Sequence, residues 1–347
     1  MPDSKINALV QLGNVMRSIG EDEAWQGFDL GITEVEFEKL KVAVNQAKIH
    51  NGWFERSEVL RAFRAWGDAL NEDNLILWMK KYAPIYRDSK RIAIIMAGNI
   101  PLVGLHDLIC VYLSGHIAKI KMSSDDNKLL PALLDVWRLF DDNLSEVVQI
   151  VGPKLVDFDA VIATGSNNTA RHFEQYFGKY PHIIRKNRTS VAIISGQEAE
   201  EELKNLATDI FAYFGLGCRN VTKLYLPKGY DLNKIFGGLF HYQEVVYNKK
   251  YGNNYDYHKA IFMLEGFDLL ENGFVLMKED SSLTSPIGTL YYEYYDDEQK
   301  LRDDLKLHQS EIQCIVSQKD IPFGNAQVPA LWDYADGVDT MEFLKNL

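Results

Sequence analysis

The residue best suited to chemistry is Cys218, which follows a Gly-Leu-Gly turn and precedes the apolar run 221–226. This spacing predicts a thiol on a turn rather than in a core, because glycines permit tight turns and the close approach of a ligand. A thiol is an effective nucleophile when it is reachable and partly ionised, and Arg219 beside it supplies a positive charge. A free cysteine is also often a small buried apolar residue, so the local pattern leaves both interpretations open.

The elements that must position this thiol are predicted from hydrophobic periodicity. Apolar residues recur at helical spacing through about the first ninety residues, and Thr33 with Glu36 predicts a capping box for a helix that ends near Asn51. From residue 91 short strands alternate with helices, which indicates a mostly parallel sheet with helices on both faces. The predicted strands are 91–97, 117–122, 147–151 and 160–163, with helices running to about 114 and over about 129–140.

Composition limits the class of protein. The 347 residues carry a net charge of -12 with no local concentration of Lys and Arg, which argues against a nucleic-acid partner. No segment approaches the roughly 18 apolar residues of a membrane span, and we expect no leader peptide. Three widely separated cysteines suit a reducing cytoplasm, so the predicted location is cytoplasmic. The histidines lack metal-ligand spacing, and no metal is predicted.

Two turns after predicted strands complete a recognisable order of motifs. In parallel sheets ligands bind beyond the carboxyl ends of the strands, where Asn99 and Ser166 fall. Because of these turns and Cys218, the chain resembles the aldehyde dehydrogenase superfamily over about residues 90–330. The matching pieces, in chain order, are Asn99-Ile100-Pro101, the strand and turn 115–124 (Gly-His-Ile-Ala-Lys-Ile-Lys-Met-Ser-Ser), Thr164-Gly165-Ser166, Phe211 with Gly215 and Cys218, and Pro322-Phe323-Gly324. Within the superfamily the chain is most similar to the acyl-CoA reductase group, which includes the fatty-acid reductase of bacterial luminescence, because of the closing stretch 331–344, the short chain and the helical N-terminus.

The resemblance implies an α/β, aldehyde-dehydrogenase-like fold of two Rossmann-like domains with a helical N-terminal cap. The implied boundaries are a cap at 1–90, a nucleotide-binding domain at 91–186, a catalytic domain at 187–330 and a tail at 331–347, with the site in the cleft between the two α/β domains. It implies that Cys218 is the nucleophile and that the side-chain amide of Asn99, with the Cys218 N–H, stabilises the oxyanion. A turn residue in front of a proline would also explain Asn99.

The resemblance also implies a nicotinamide cofactor. Family members that use NAD often place a glutamate where this chain has Ser124, and Lys121 lies near enough to pair with a 2′-phosphate, so NADPH is favoured over NADH; Asp125 weighs against it. Thr164, Gly165 and Ser166 would face the pyrophosphate at a helix N-terminus. A simple helix cap would explain Ser166 equally well.

Departures from the family indicate the direction of the reaction. Where oxidising members carry a water-activating glutamate, residues 182–187 contain no carboxylate, and the ribose-binding glutamate is matched by Ser285. The implied activity is reduction of an acyl-CoA or acyl-protein thioester to an aldehyde through an acyl-cysteine, as in a fatty aldehyde-forming enzyme. An acyl-phosphate reductase of the γ-glutamyl phosphate type and a non-redox acyl-transfer subunit are the alternatives. Acyl chain length, pathway and a homo-oligomeric state are left open.

Overall fold

The computed structural model describes residues 2–82, 88–152 and 154–347 and divides the chain into two compact units. The first unit joins Met1–Lys186 to the C-terminal segment Ala330–Leu347. The second unit is Asn187–Pro329. The chain therefore leaves the first unit once, builds the second, and returns to the first with its last residues.

Helices and strands alternate along most of the described chain. The helices are α1 (Pro2–Gly20), α2 (Glu34–His50), α3 (Arg56–Ala69), α4 (Glu72–Met79), α5 (Leu105–Ser114), α6 (Leu129–Trp137), α7 (Leu144–Val147), α8 (Asn167–Phe177), α9 (Glu200–Phe211), α10 (Leu232–Leu239), α11 (Lys249–Leu264), α12 (Glu298–Leu307) and α13 (Thr340–Lys345). The strands are β1 (Arg91–Ile95), β2 (Ile117–Lys121), β3 (Val148–Ile150), β4 (Ala160–Thr164), β5 (His182–Arg185), β6 (Thr189–Ile193), β7 (Val221–Pro227), β8 (Leu270–Glu271), β9 (Leu276–Glu279), β10 (Thr289–Tyr295) and β11 (Ile312–Val316).

The sheet of the first unit is parallel and is covered on both faces. Its strand order is β3-β2-β1-β4-β5. Side chains alternate across a strand, so Ile92 and Ile94 of β1 pack into the main core while Ala93 and Ile95 enter a second cluster that contains Phe173 of α8. Continuous apolar runs are typical of such doubly covered sheets. The prediction of a parallel sheet with helices on both faces is confirmed.

The N-terminal helices and the C-terminal tail share the main core of the first unit. Phe63 of α3, Trp78 of α4 and Tyr334 of the tail are buried in the same cluster as the sheet residues. Tyr334 also accepts a hydrogen bond from the Trp78 ring nitrogen at 2.7 Å. The predicted capping box is confirmed, because Thr33 caps α2 with Glu36 and the helix ends at His50.

The second unit is built on a six-stranded sheet with the order β11-β6-β7-β10-β9-β8. The strands are parallel except for the short β8, which pairs with β9 in the antiparallel sense at one edge. Helix α9 begins at Glu200. Glu198 lies before the helix and accepts hydrogen bonds from the N–H groups of Ser195 and Gly196 at 2.5 and 3.0 Å. These bonds close the turn after β6.

The part of the chain that the structure describes offers neither a membrane-crossing helix nor a metal centre. None of its helices is long and apolar enough to span a bilayer. Within the same residues no group of three or more His, Cys, Asp and Glu side chains is arranged to hold a metal ion.

Candidate active site

The residues predicted to bind a cofactor meet at one edge of the first sheet. Strands β2, β1 and β4 are adjacent and parallel, with Ile95 of β1 in register with Lys121 and with Ala163. Lys121 ends β2, Ser124 follows it, and Thr164 ends β4 just before Gly165 and Ser166. The turn that carries Asn99 follows β1 between them. These five residues and Asn99 thus lie at the carboxyl ends of the strands, which is where ligands bind in parallel sheets.

The order of the strands reverses between β1 and β4. The chain runs from β1 outward through β2 to β3 and then crosses to the other side of β1 to form β4 and β5. The helices that follow β1 and β4 therefore lie on opposite faces of the sheet, and in open α/β sheets ligands bind at such a switch point. Asn99, on the turn after β1, is exposed there, and Thr164 and Gly165 are half-buried.

The turns after β1 and β2 pack tightly against each other. A Cβ atom added at Gly98 would lie 2.7 Å from the hydroxyl oxygen of Ser123, so only glycine fits at this contact. The side-chain amide of Asn51, which is 7% exposed, donates to the carbonyls of Gly98 at 3.4 Å and Asp125 at 3.2 Å. One asparagine from the end of α2 thus joins both turns.

A buried carboxylate makes a second link between these turns. Asp126, after β2, accepts the N–H of Leu102 at 3.0 Å, and Leu102 has a left-handed backbone with φ of 57°. Burial raises the pKa of Asp126 to about 6, although hydrogen bonds from the Leu102 and Leu129 N–H groups act in the opposite direction. The position of the Asn99 turn is therefore fixed from two segments, the end of α2 and the turn after β2.

The turn after β4 leads directly into α8. The Ser166 hydroxyl accepts the N–H of Thr169 at 3.2 Å and so caps the helix. A Cβ at Gly165 would lie 3.1 Å from Thr169 and Phe173, which favours glycine. The first turn of α8 contains no acidic side chain. The cap interpretation of Ser166 is confirmed, and the helix N-terminus retains the positive potential that binds anions.

Residues 182–185, in the segment that the resemblance aligns with a water-activating glutamate, form β5. Arg185 at its end is buried and donates to Asp107 at 2.5 Å and to the hydroxyl of Thr340 at 2.9 Å. The Asp107 carboxylate raises the Arg185 pKa against the effect of burial. This position therefore carries a paired cation that ties the C-terminal tail to α5, and its chemistry is structural.

Cys218 lies on a tight turn in the second unit, directly before β7. The turn is closed by a hydrogen bond from the Asn220 N–H to the Gly217 carbonyl at 3.1 Å. Cys218 is half-buried, as the Gly-Leu-Gly spacing predicts for a thiol on a turn, whereas Cys110 in α5 is fully buried. The thiol is thus held on a turn rather than sealed in packing.

The side chain of Asn220 fastens this turn to the end of α9. Its amide nitrogen donates to the carbonyls of Asp209, Ile210 and Ala212 at 3.1, 3.3 and 2.9 Å. Its oxygen accepts the Gly217 N–H at 2.7 Å, and the residue is fully buried. These bonds satisfy carbonyl groups that a helix end otherwise leaves without partners.

The chain between α9 and Cys218 is strained. Tyr213, Phe214 and Gly215 have φ values of 52°, 59° and 77°, so three consecutive residues are left-handed. Each non-glycine residue in this region costs about 1–2 kcal/mol, and such strain is retained where the surrounding structure holds it. The aromatic side chains of Tyr213 and Phe214 are each 7% exposed, and their burial helps to hold the turn.

The Pro-Phe-Gly segment is bonded to the Cys218 region through Asp209. The Asp209 carboxylate accepts the N–H groups of Gly324 at 2.6 Å and Ala326 at 2.9 Å, and Arg219 donates to the Ala326 carbonyl. Burial raises the pKa of Asp209 to about 6, against the effect of these N–H groups and of Arg219. Two motifs that are about one hundred residues apart in sequence are therefore joined in one network.

Sequence reasoning did not identify Asp209 and Asn220. An acidic residue on the apolar face of α9, between Ala207 and Ile210, is the signal that could have pointed to Asp209. Ser285, in the register of the ribose-binding glutamate, is buried and donates to the Thr289 carbonyl at 2.6 Å. Its hydroxyl is therefore used within its own loop.

Comparison with known proteins supports the fold. No family model matches the sequence, and no curated protein matches it. Solved structures of aldehyde dehydrogenases match over most of the chain at 12% identity or below, which shows a shared fold. The predicted α/β, aldehyde-dehydrogenase-like fold is confirmed.

Three of these structures illustrate the likeness. Aldehyde dehydrogenase 21 from Physcomitrella patens, with succinate, has a TM-score of 0.59 and 11% identity, covering 91% of this chain and 76% of that one. The indole-3-acetaldehyde dehydrogenase AldA of P. syringae, with NAD⁺, has a TM-score of 0.59 and 12% identity, covering 87% and 69%. An NAD-dependent aldehyde dehydrogenase from Sinorhizobium meliloti has a TM-score of 0.61 and 11% identity, covering 89% and 70%.

Proposed function

We propose that the protein is a nicotinamide-dependent reductase that converts an acyl thioester, such as an acyl-CoA, to an aldehyde through an acyl group on Cys218. The observation that carries this proposal is the half-buried Cys218 thiol on a turn that Asn220 and Asp209 anchor. A thiol in such a position suits nucleophilic catalysis. The aldehyde-dehydrogenase-like fold supports the same class of chemistry.

The covalent step begins at the Cys218 thiolate, which attacks the carbonyl carbon of the thioester. A carbon–sulfur bond forms, negative charge develops on the carbonyl oxygen, and the thiolate of CoA leaves with its electron pair. In this proposal the Asn99 amide and the Cys218 N–H stabilise the oxygen, and preorganised donors of this type each contribute about 3 to 4 kcal/mol. Departure of the aldehyde later restores the Cys218 thiolate.

A bound reduced nicotinamide supplies the hydride that converts the acyl group to an aldehyde. The edge of the first sheet fits such a cofactor, because Gly165 precedes a helix N-terminus without acidic residues. Thr164, Gly165 and Ser166 would hold the pyrophosphate, and Lys121 with Ser124 would hold the adenosine ribose. No carboxylate stands at Ser124 to repel a 2′-phosphate, which favours NADPH.

The proposed direction is reduction because residues 182–187, where the resemblance places the water-activating glutamate, contain no carboxylate. In the segment 182–187 the buried side chains are those of Ile183 and Arg185, and Arg185 is paired with Asp107. Hydrolysis of an acyl-cysteine needs an activated water, whereas hydride transfer to the acyl carbon does not. An acyl group on Cys218 is therefore kept for reduction.

The proposal is tested by following NADPH absorbance with acyl-CoA esters of increasing length. We expect NADPH consumption and aldehyde formation by the wild-type protein, and loss of both in Cys218→Ala. Cys110→Ala is the matched control, since Cys110 is buried in α5, and it retains activity. Full activity of Cys218→Ala would refute the covalent step, and consumption of NADPH with acyl phosphates alone would assign a different substrate class.

A further inference from the structure

Ser190 in β6 lies opposite an irregularity in both neighbouring strands. Thr189 of β6 pairs with Ile312 of β11, and Val191 pairs with Ile315, so two residue steps in β6 lie beside three in β11. On the other side Ser190 pairs with Val221 of β7, and Val191 pairs with Lys223, so one residue step in β6 lies beside two in β7. Each neighbour therefore carries one extra residue beside Ser190. β-Bulges re-aim side chains and are common next to active sites.

The hydroxyl of Ser190 is fully buried and bonds to the Cys218 turn. It donates to the Cys218 carbonyl at 3.0 Å. It accepts the Cys314 N–H at 3.2 Å, and the Cys314 sulfur lies 3.0 Å away. Because the hydroxyl has one proton, which goes to Cys218, the Cys314 thiol is the donor in its contact with Ser190.

The main chain of Ser190 adds a further bond to the same turn. Its N–H donates to the Asn220 carbonyl at 3.2 Å. Asn220 in turn accepts the Gly217 N–H through its side chain at 2.7 Å. The turn is thus held at two points, by the Asn220 side chain at the Gly217 N–H and by Ser190 at the Cys218 carbonyl.

We propose that Ser190 is a positioning residue, whose hydroxyl fixes the Cys218 peptide so that the thiol meets a bound acyl carbonyl in the reactive geometry. The inference rests on the proposed function, because it assigns a role to Ser190 in acyl transfer to Cys218. The strained residues Tyr213 and Phe214 precede this turn, and removal of the hydroxyl gives the turn freedom to relax. A displacement of about 1 Å at a reacting group can cost on the order of 100-fold in rate.

The test compares Ser190→Ala with Ser190→Thr, which keeps a hydroxyl, and with the wild-type protein. Three quantities are measured: the rate of acyl transfer from an acyl-CoA to Cys218, the rate of Cys218 alkylation by iodoacetamide, and the KM for NADPH. For Ser190→Ala we expect acyl transfer to fall about 10-fold. Alkylation should change less than about 3-fold, since a small reagent needs no fixed geometry. The KM for NADPH should not change.

The matched control is Ser114→Ala, which removes a buried hydroxyl bonded to the Val111 carbonyl at 2.9 Å. It should leave both rates and the KM for NADPH unchanged, and Ser190→Thr should recover most of the acyl-transfer rate. An acyl-transfer rate in Ser190→Ala equal to that of the wild-type protein would overturn the inference. A steep rise in the alkylation rate of that variant would also overturn it, because it would indicate a general loss of structure around Cys218. If the wild-type Cys218 takes no acyl group, the proposed function fails, and this inference fails with it.

Discussion

The two units hold the turns that carry the proposed site residues with the same kinds of side chain but in different ways. The first unit uses Asn51 and Asp126, and the second uses Asn220 and Asp209. In the first unit the turns follow parallel strands, so the sheet itself gathers them at one edge. In the second unit the Cys218 turn precedes β7, and side-chain bonds to distant segments hold it.

This difference separates what a sheet can position from what side chains must position. Parallel strands place a nucleotide-binding edge through the backbone alone, and one asparagine and one aspartate then refine the turns. The Cys218 turn has no such backbone rule, because it depends on Asn220, on Asp209 and on strained residues before it. We therefore expect substitutions to be more damaging in the second network than in the first.

The largest expected effect is that of Asn220→Ala. This change leaves three buried carbonyls and the Gly217 N–H without the bonds that the side chain makes. Unsatisfied buried groups cost about 1–3 kcal/mol each, so we expect a loss of about 3–5 kcal/mol in the free energy of unfolding. The measurement is unfolding in urea.

Asn51→Ala is the matched comparison in the first unit. Asn51 makes two longer bonds to carbonyls, at 3.4 and 3.2 Å, and accepts the Trp53 N–H at 3.0 Å. We expect a loss of about 1–2 kcal/mol. Equal losses for the two variants would contradict the distinction between the networks.

The second effect is a dependence of stability on pH that arises in both units. Burial raises the pKa of Asp126 and of Asp209 to about 6, against about 3.9 in an unfolded chain. Because the folded state favours the protonated form, each carboxyl contributes stability below about pH 4 that is lost as the pH rises through about 6. This loss amounts to at most about 3 kcal/mol for each group.

Unfolding free energies of Asp126→Asn and Asp209→Asn should therefore depend less on pH between about 4 and 6 than that of the wild-type protein. Asp280→Asn is the control of opposite sign. The pKa of Asp280 is lowered to about 2, since hydrogen bonds with Lys278 and Ser282 outweigh the effect of burial. That carboxylate contributes stability above about pH 4, which is lost as the pH falls through about 2. Superimposable profiles for all variants would exclude these assignments.

Two glycine substitutions, one in the turn after β1 and one in the Pro-Phe-Gly segment, should affect different kinetic quantities. Gly98→Ala places a Cβ 2.7 Å from the Ser123 hydroxyl oxygen, and overpacking of this kind costs about 1–3 kcal/mol. Gly324→Ala meets Asn205 at 3.0 Å with a φ of 89°. We expect the first to raise the KM for NADPH and the second to slow acyl transfer to Cys218.

The control for both is Gly237→Ala, because nothing lies within 4 Å of a Cβ at that position of α10. It should stabilise the helix by up to about 1 kcal/mol and leave both kinetic quantities unchanged. If Gly98→Ala and Gly324→Ala affected the same kinetic step, the two turns would not have the separate roles assigned to them.

The smallest expected effect is that of Ser166→Ala, which removes the cap of α8. Loss of an N-cap costs about 1 kcal/mol. If the same helix end binds the pyrophosphate, the dissociation constant for NADPH should also rise several-fold. Asn71→Ala removes a comparable cap, bonded to the Asn74 N–H at 2.9 Å, from α4. This variant should lose a similar amount of stability without any change in the dissociation constant for NADPH. A rise in that constant equal to the rise in Ser166→Ala would indicate a general effect of destabilisation.

The sequence predicted the elements of the first unit well because their signals are local. Strand β1 was predicted as 91–97 and spans Arg91–Ile95, and the Thr33 capping box lies where the sequence indicates. The turn character of Cys218 follows from its neighbouring glycines. These features depend on residues within a few positions of each other.

The remaining contacts of the second unit could not be predicted, because they join residues far apart in the chain. Ser190 and Cys218 are 28 positions apart, and Asp209 and Gly324 are 115 apart. The bulges opposite Ser190 have no local signature, and in the first unit the same is true of the return of the tail through Tyr334 and Thr340. Such pairings are decided by the packing of the whole unit.

The central claim is that Cys218 carries the acyl group, and the most direct test is mass spectrometry of the protein after incubation with an acyl-CoA in the absence of NADPH. We predict that the peptide containing Cys218 gains the mass of one acyl group and that addition of NADPH removes it with release of an aldehyde. An acyl group found on another residue, or aldehyde formation with Cys218 unmodified throughout, would contradict the account.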